Sequence, residues 1–291
     1  MKLALVQMKP ELHNKKRNLE KMLDLSSQAA KDGADFVAFP EMALTGYVCG
    51  KRWLEHAEPV EGPTTEKLAK LAKDKNIDIL FGMPELNGSL AHNSAVLIEP
   101  DGVLGVYRKL YLVTFEFAGV RYEEHLFFKP GFDIKVFDTR FGKIGVEICY
   151  DFWFPEIERC CALQGAWLLF NLSAAPFKVP DIFQLLARAR AVENQAFFGY
   201  VNEIGTQEGV VFEGGSCIVN NSAEIIERAQ YGEDLDDEII QAELDPDIIR
   251  QARLDLPLLR DVRPEILRRV ADVAEGLYFP PKGEFSRDFI R

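Results

Sequence analysis

The chain has 291 residues, 47% of them hydrophobic, which is enough for one large domain or two small ones with a sizeable core. Its formal charge of -12 argues against a nucleic-acid or anionic-membrane surface, since neither gains from meeting a net anion. Five cysteines with no C-x-x-C pair, two of them adjacent (Cys160, Cys161), fit reduced thiols in a cytoplasmic protein, and four scattered histidines give a zinc site little support.

Met1 to Gln7 reads as a strand over Leu3–Gln7 rather than as a signal peptide or a membrane span. A helical period follows from about Asn14 to Lys31, with Leu19, Met22 and Leu23 on one face and Gly33 as its stop. Ala34–Phe39 is a short apolar strand that ends at Pro40, so Glu41 stands at a strand exit. Residues 45–60 read as an irregular loop, Thr64 or Thr65 caps the next helix, and Ile77–Phe81 returns as a strand. Pro100-Asp101-Gly102 predicts a hairpin whose second strand, Val103–Tyr107, delivers Lys109.

From Tyr111 to Phe132 no clean period appears, and the stretch reads as an ordered loop. The second half repeats the plan of the first, with strands over 143–148, 167–172 and 197–202 and helices near 155–164 and 181–194. Shorter strands follow at 216–219, 224–228 and 239–244, and a helix near 264–274 leads to Tyr278-Phe279-Pro280-Pro281. Alternating strands and helices predict an α/β protein with helices on the sheet faces. No Pro/Gly/Ser-rich linker divides the chain, so one composite domain over 1–265 is expected, with 266–291 as a tail docked on the same or a neighbouring subunit.

Cys149 ends the strand Lys143–Ile148 just before a helix that Pro155 can open. The unpaired N–H groups and dipole of a helix N-terminus favour a thiolate there, which would make Cys149 a nucleophile; the alternative is a small packed thiol. A nucleophilic thiol needs a base. His125 is the best placed histidine, but a carboxylate of raised pKa can serve instead, with a lysine to hold a developing oxyanion. Glu41, Lys109 and Cys149, each at a strand exit, would therefore make an acyl-transfer set if the fold brings them together.

The stretches Phe39–Tyr47, Tyr107-Arg108-Lys109 and Gly145–Asp151 with Phe154-Pro155-Glu156 resemble the three catalytic motifs of the nitrilase superfamily of carbon–nitrogen hydrolases. The likeness extends through Gly165-Ala166-Trp167, Ala189–Gln195, Asn202–Gly205 and Phe212–Ser216. It implies a four-layer αββα sandwich, dimerised or further oligomerised, and an amidase that needs neither a metal nor an organic cofactor. By that resemblance Cys149 attacks the carbonyl, Glu41 is general base and acid, and Lys109 with the Tyr150 backbone N–H holds the oxyanion. It also implies a second glutamate near Lys109, for which Glu124 is the better candidate and Glu123 its rival.

Tyr150-Asp151 after the cysteine resembles the amidase and carbamoylase branches more than true nitrilases, and the apolar Phe152-Trp153-Phe154 tilts the reading toward a plain small amide. Tyr47, Trp153, Ala174 and Phe177 are candidates for the pocket wall. Lys178 is the nearest downstream cation, and Glu147, two residues before Cys149, either serves a hydrogen-bonded structural role or shares the cysteine's side of the strand and selects a cationic amine. The alternatives are an N-carbamoyl amine or amino-acid hydrolase, an inactive binding or scaffold protein, and a glutaminase subunit that donates ammonia to a partner.

Overall fold

The computed structural model describes residues 1–114, 116–117 and 120–278. Two six-stranded sheets carry the fold. The first runs Glu238–Glu243, Lys2–Gln7, Phe36–Ala38, Asp78–Asn87, Leu90–Glu99 and Gly102–Arg108 across its width. The second runs Ile225–Arg228, Cys217–Val219, Phe197–Asn202, Leu168–Ser173, Gly142–Ile148 and Val136–Thr139.

Alternation along each strand decides what each sheet face covers. In Lys2–Gln7, Leu3 and Leu5 enter a core shared with Ile144, Val146 and Phe170 of the second sheet. Ala4 and Val6 enter a separate core with Leu19, Met22, Leu68 and Ala72 from the helices Lys15–Lys31 and Pro63–Lys75. The two sheets meet face to face, with the Phe36 ring stacked on Phe170 at 5.3 Å. Glu156–Leu163 and Val179–Asn194 cover the outer face of the second sheet through Cys161, Phe183, Ala187 and Ala191. The layers are therefore helix, sheet, sheet, helix, the αββα sandwich expected.

Three differences from the expected elements have local causes. The apparent loop 45–60 contains a helix, Arg52–His56, pinned by buried Trp53 against Phe128, with ring centroids 5.0 Å apart. A hairpin over Ile204–Gln207 and Val210–Glu213 has too few residues per strand to show a period, and Gly209 turns it at φ 86°. Pro246–Asp255 is helical, opened by the Asp245 side chain accepting from Asp247 N at 2.9 Å. The C-terminal helix runs Pro264–Tyr278 with its side chains exposed over 265–277, while Phe279, Pro280, Pro281 and the rest of the expected docked tail lie outside the described residues.

The strands Phe36–Ala38 and Gly102–Arg108 run in the same direction, both parallel in sense to Asp78–Asn87, so Glu41 and Lys109 leave the sheet at the same edge. At that edge a Cβ on Gly82 would lie 2.6 Å from Glu41 Cα and Met42 N and 2.7 Å from the Pro40 carbonyl. Only glycine lets the Glu41 segment lie that close to its neighbour. Gly82→Ala should therefore cost about 1–3 kcal/mol of stability, measured by denaturant unfolding. Gly276→Ala, in an exposed helical position with nothing within 4 Å, should be neutral or mildly stabilising in the same assay. Equal effects at the two sites would contradict the close approach.

Candidate active site

Pro40 ends the Phe36–Ala38 strand, because it has no N–H to continue the ladder, and its carbonyl takes Gly82 N at 3.1 Å. Glu41 then points inward and is fully buried. Its Oε1 accepts from Lys109 Nζ at 2.8 Å and from Asn93 Nδ2 at 2.7 Å, and its Oε2 accepts from Ala174 N at 2.9 Å. Lys109 Nζ also donates to Glu124 Oε1 at 2.9 Å. Glu124 in turn accepts from the Tyr47 hydroxyl at 2.8 Å and from Val113 N at 2.9 Å. Glu124, not Glu123, thus occupies the position beside the lysine; Glu123 is only half-buried.

Asn93 is a partner that the sequence reading missed. Its signal is the run His92-Asn93-Ser94 inside the strand Leu90–Glu99, where three consecutive polar residues are all buried and the apolar period is interrupted. The Asn93 carbonyl also accepts from Lys109 N at 2.9 Å, so one residue fixes both ends of the ion pair.

Cys149 follows Ile148 with φ 46°, a left-handed conformation that costs a non-glycine residue free energy and turns the chain sharply out of the strand. Asp151 holds that turn. Its carboxylate accepts from Ile148 N at 3.1 Å, Tyr111 N at 2.8 Å, Leu110 N at 3.2 Å and the Tyr107 hydroxyl at 2.8 Å. Through Asp151 the cysteine turn is tied to the residues on either side of Lys109.

The thiolate expectation is corrected here. Burial pushes the Cys149 thiol well above its usual range, and the Glu41 charge adds to that, against a smaller opposing pull from Lys109. The short 3₁₀ turn Cys149–Trp153 also separates the thiol from the α-helix that starts at Glu156. Both effects disfavour the thiolate, so a nucleophilic role for Cys149 would need a base. Burial likewise raises Glu41, while Lys109 lowers it. Burial alone would lower Lys109, but Glu124 and Glu41 outweigh it and hold the amine protonated.

A cavity of about 430 Å³ opens on Cys149. Tyr47, Tyr150, Trp153 and Ala174, the residues expected at the pocket, all line it. Phe177 does not; it is exposed, with the Lys178 ammonium 5.0 Å from its ring centroid. His125 is exposed and is absent from the cavity wall, so it does not face the thiol as a base would.

Glu147 also lies away from the cavity. Because Cys149 is left-handed, strand alternation stops at Ile148 and the spacing of two no longer places both side chains on one side. Glu147 Oε1 accepts from Asn171 Nδ2 at 3.1 Å, and the same Asn171 nitrogen donates to the Cys149 carbonyl at 3.3 Å. Glu147 Oε2 and Glu158 Oε2 are buried without another hydrogen-bond donor, while Arg190 Nε donates to Glu158 Oε1 at 2.9 Å. Arg190 pairs with Glu158 and Glu193, not Glu147, and burial and the neighbouring Glu158 charge both raise Glu147, so the two buried acids can share one proton.

Burial raises Glu158 from 4.5 to about 7, so the folded chain holds a proton that the unfolded chain releases, and this contribution to stability is lost as pH rises from 4.5 through about 7. Glu147→Gln supplies a permanent N–H to Glu158. Its Tm relative to wild type should therefore climb by about 2–4 °C between mildly acidic and mildly alkaline pH. Parallel Tm–pH curves for the two proteins would show that the carboxyls do not share a proton.

The family pattern described as carbon–nitrogen hydrolase matches residues 2–254. A protein named nitrilase from Pyrococcus abyssi is 35% identical over 263 residues, covering 87% of this chain and 93% of that protein. An omega-amidase of Xenopus laevis is 33% identical over 258 residues, covering 86% of this chain and 90% of its own. Among solved structures, an amidase from Nesterenkonia sp. AN1 superposes with a TM-score of 0.79 at 26% identity, covering 92% of this chain and 99% of that one. The chain is a carbon–nitrogen hydrolase and belongs to the nitrilase superfamily.

Proposed function

We propose that this enzyme is a thiol amidohydrolase that converts a small linear amide to a carboxylic acid and ammonia through a thioester on Cys149. The observation that carries the reading is the buried Glu41–Lys109–Glu124 cluster beside a neutral thiol at the foot of a cavity. In support, a solved Nesterenkonia amidase variant carries acrylamide added at its active-site cysteine.

In the first step Glu41 takes the Sγ proton as sulfur attacks the amide carbon. The Lys109 ammonium and the Tyr150 backbone N–H stabilise the negative oxygen that forms. Collapse of that intermediate breaks the C–N bond, and protonated Glu41 gives its proton to the departing nitrogen, leaving a thioester and ammonia. Water then attacks the thioester, Glu41 takes a proton from it, and the proton returns to sulfur as the acid leaves. Glu124 keeps Lys109 charged and in place throughout, and Tyr47 holds Glu124.

Cys149→Ala should abolish turnover, and wild-type enzyme quenched with substrate should carry an acyl mass on the peptide containing Cys149. An adduct on Cys49, Cys160, Cys161 or Cys217 instead would overturn the assignment, and no adduct at all would favour a binding protein. Glu41→Gln should lower kcat by about 10²–10⁴-fold. Because burial lifts Glu41 above 4.5, the acid limb of kcat/KM should fall at a pH above that value. Carbon dioxide released together with ammonia would move the reading to an N-carbamoyl hydrolase.

The same reading makes the enzyme a homodimer or higher homo-oligomer of the cytoplasm. Ile266, Val270, Val273 and Leu277 form an exposed stripe along the C-terminal helix at helical spacing, beside a groove that includes Tyr111, Phe154 and Leu163. That stripe suits a neighbouring subunit better than water, and the five free thiols suit a reducing compartment. Sedimentation of the full chain should give a multiple of 32.9 kDa, and a monomer at micromolar concentration would contradict it.

A further inference from the structure

The wall of the cavity above Cys149 is more uniform than its floor. Besides Cys149 its lining includes Val113, Trp153, Phe154, Pro176, Val179 and Phe183, together with the tyrosines Tyr47, Tyr122 and Tyr150. Among the described residues no charged side chain belongs to this wall. Lys178, next in sequence to the wall residue Val179, sits over the exposed Phe177 ring, and Arg190 is bound to Glu158 and Glu193. The buried ion cluster beneath has two carboxylates to one ammonium, so it repels a second anion.

From this the geometry points to an uncharged, apolar acyl group, branched or aromatic, as the part of the substrate that the cavity holds. The inference rests on the amidase reading and names its substrate class. A carboxylate on the acyl chain would give up its water on entering this wall and, among the described residues, find tyrosine hydroxyls but no cation to pair with. An ammonium would meet ring faces and tyrosine hydroxyls but no carboxylate on the wall itself, a weaker return for its hydration than a carboxylate partner would give. An aliphatic branch or a phenyl ring loses only its contact with water. At about 430 Å³ the cavity is of the size that small-molecule sites use, and larger than an acetyl group needs.

Trp153 is the adjustable part of this wall. It packs edge-on against Phe183 with ring centroids 5.8 Å apart, yet it is 43% exposed, so its indole stands at the cavity mouth where a longer acyl chain would reach it. Truncating Trp153 should thus weaken binding of long apolar chains and leave acetamide little affected.

The test compares isosteric primary amides that differ only at the far end of the chain. 5-Methylhexanamide replaces the carboxylate of glutaramate with an isopropyl group, and hexanamide replaces the ammonium of 5-aminopentanamide with a methyl. Ammonia release by the wild-type enzyme should give a kcat/KM at least about 100-fold higher for 5-methylhexanamide than for glutaramate, and at least about tenfold higher for hexanamide than for 5-aminopentanamide. Calorimetric binding of the same four amides to Cys149→Ala should show the same order without turnover. Trp153→Ala should reduce the kcat/KM ratio of 5-methylhexanamide to acetamide by about tenfold.

A charged amide used or bound as well as its isostere would overturn the inference, as would an unchanged ratio in Trp153→Ala or no binding of any amide to Cys149→Ala. If Cys149→Ala binds the apolar amides in the expected order while wild type releases no ammonia from any of them, the amidase reading fails and the acyl pocket stands.

Discussion

A protonated lysine with no access to water, held between two carboxylates, is the constraint on which the rest of this structure depends. Lys109, Glu41 and Glu124 are all fully buried, and charges in such a place persist only if each is paired and its remaining hydrogen bonds are met. Those partners come from widely separated parts of the chain: Asn93 and Ala174 N for Glu41, Tyr47 and Val113 N for Glu124. Losing one member of such a cluster leaves an uncompensated charge, at a cost of about 3–5 kcal/mol. The strand exits, the Tyr47 segment and the turn that carries Glu124 are consequently fixed by one electrostatic balance as much as by the sandwich core.

The second constraint is the left-handed Cys149. Backbone strain at a single residue survives only where the surroundings dictate it, and here Asp151 does so with hydrogen bonds from both sides of the site. Asp151 is fully buried, and its pKa is raised to about 6, burial being the main cause, with Lys109 and hydrogen bonds from Tyr111, Tyr107 and Ile148 pulling against it. Behind the turn, Asn171 ties the Cys149 carbonyl to Glu147. Cys149 thus sits between two buried acids, one bracing its turn and one, through Asn171, its carbonyl.

How much of this was legible in the sequence follows from which interactions are local. Strand exits at Glu41, Lys109 and Cys149 could be read because Pro40, the Pro100-Asp101-Gly102 turn and the end of an apolar alternation are all local signals. Glu124 is preferred to Glu123 only through the family resemblance, since the residues alone do not say which carboxylate the three-residue turn Glu124–Leu126 directs toward Lys109. Of the two roles open to Glu147, the hydrogen-bonded structural one is what the structure shows, because the spacing argument for the pocket assumes an extended Cys149 and its φ is 46°. The thiol's protonation state was misread for a related reason: a helix terminus can be foreseen from sequence, whereas burial beside Glu41 cannot.

The apolar wall and the charged floor of the site are linked. Rings and aliphatic side chains around the cavity exclude water from Lys109 and its carboxylates, and at lower local dielectric each charge acts on its neighbours more strongly than it would in solution. Burial raises Glu41 and by itself would deprotonate Lys109, but the strengthened attraction of Glu124 and Glu41 outweighs it and keeps the amine charged. A substrate whose acyl group completes the apolar wall would seal the floor further, while one that carried a charge or its hydration shell inside would weaken the field acting at the carbonyl. Selection of the acyl group and stabilisation of the developing oxyanion would then both come from the exclusion of water by the same side chains.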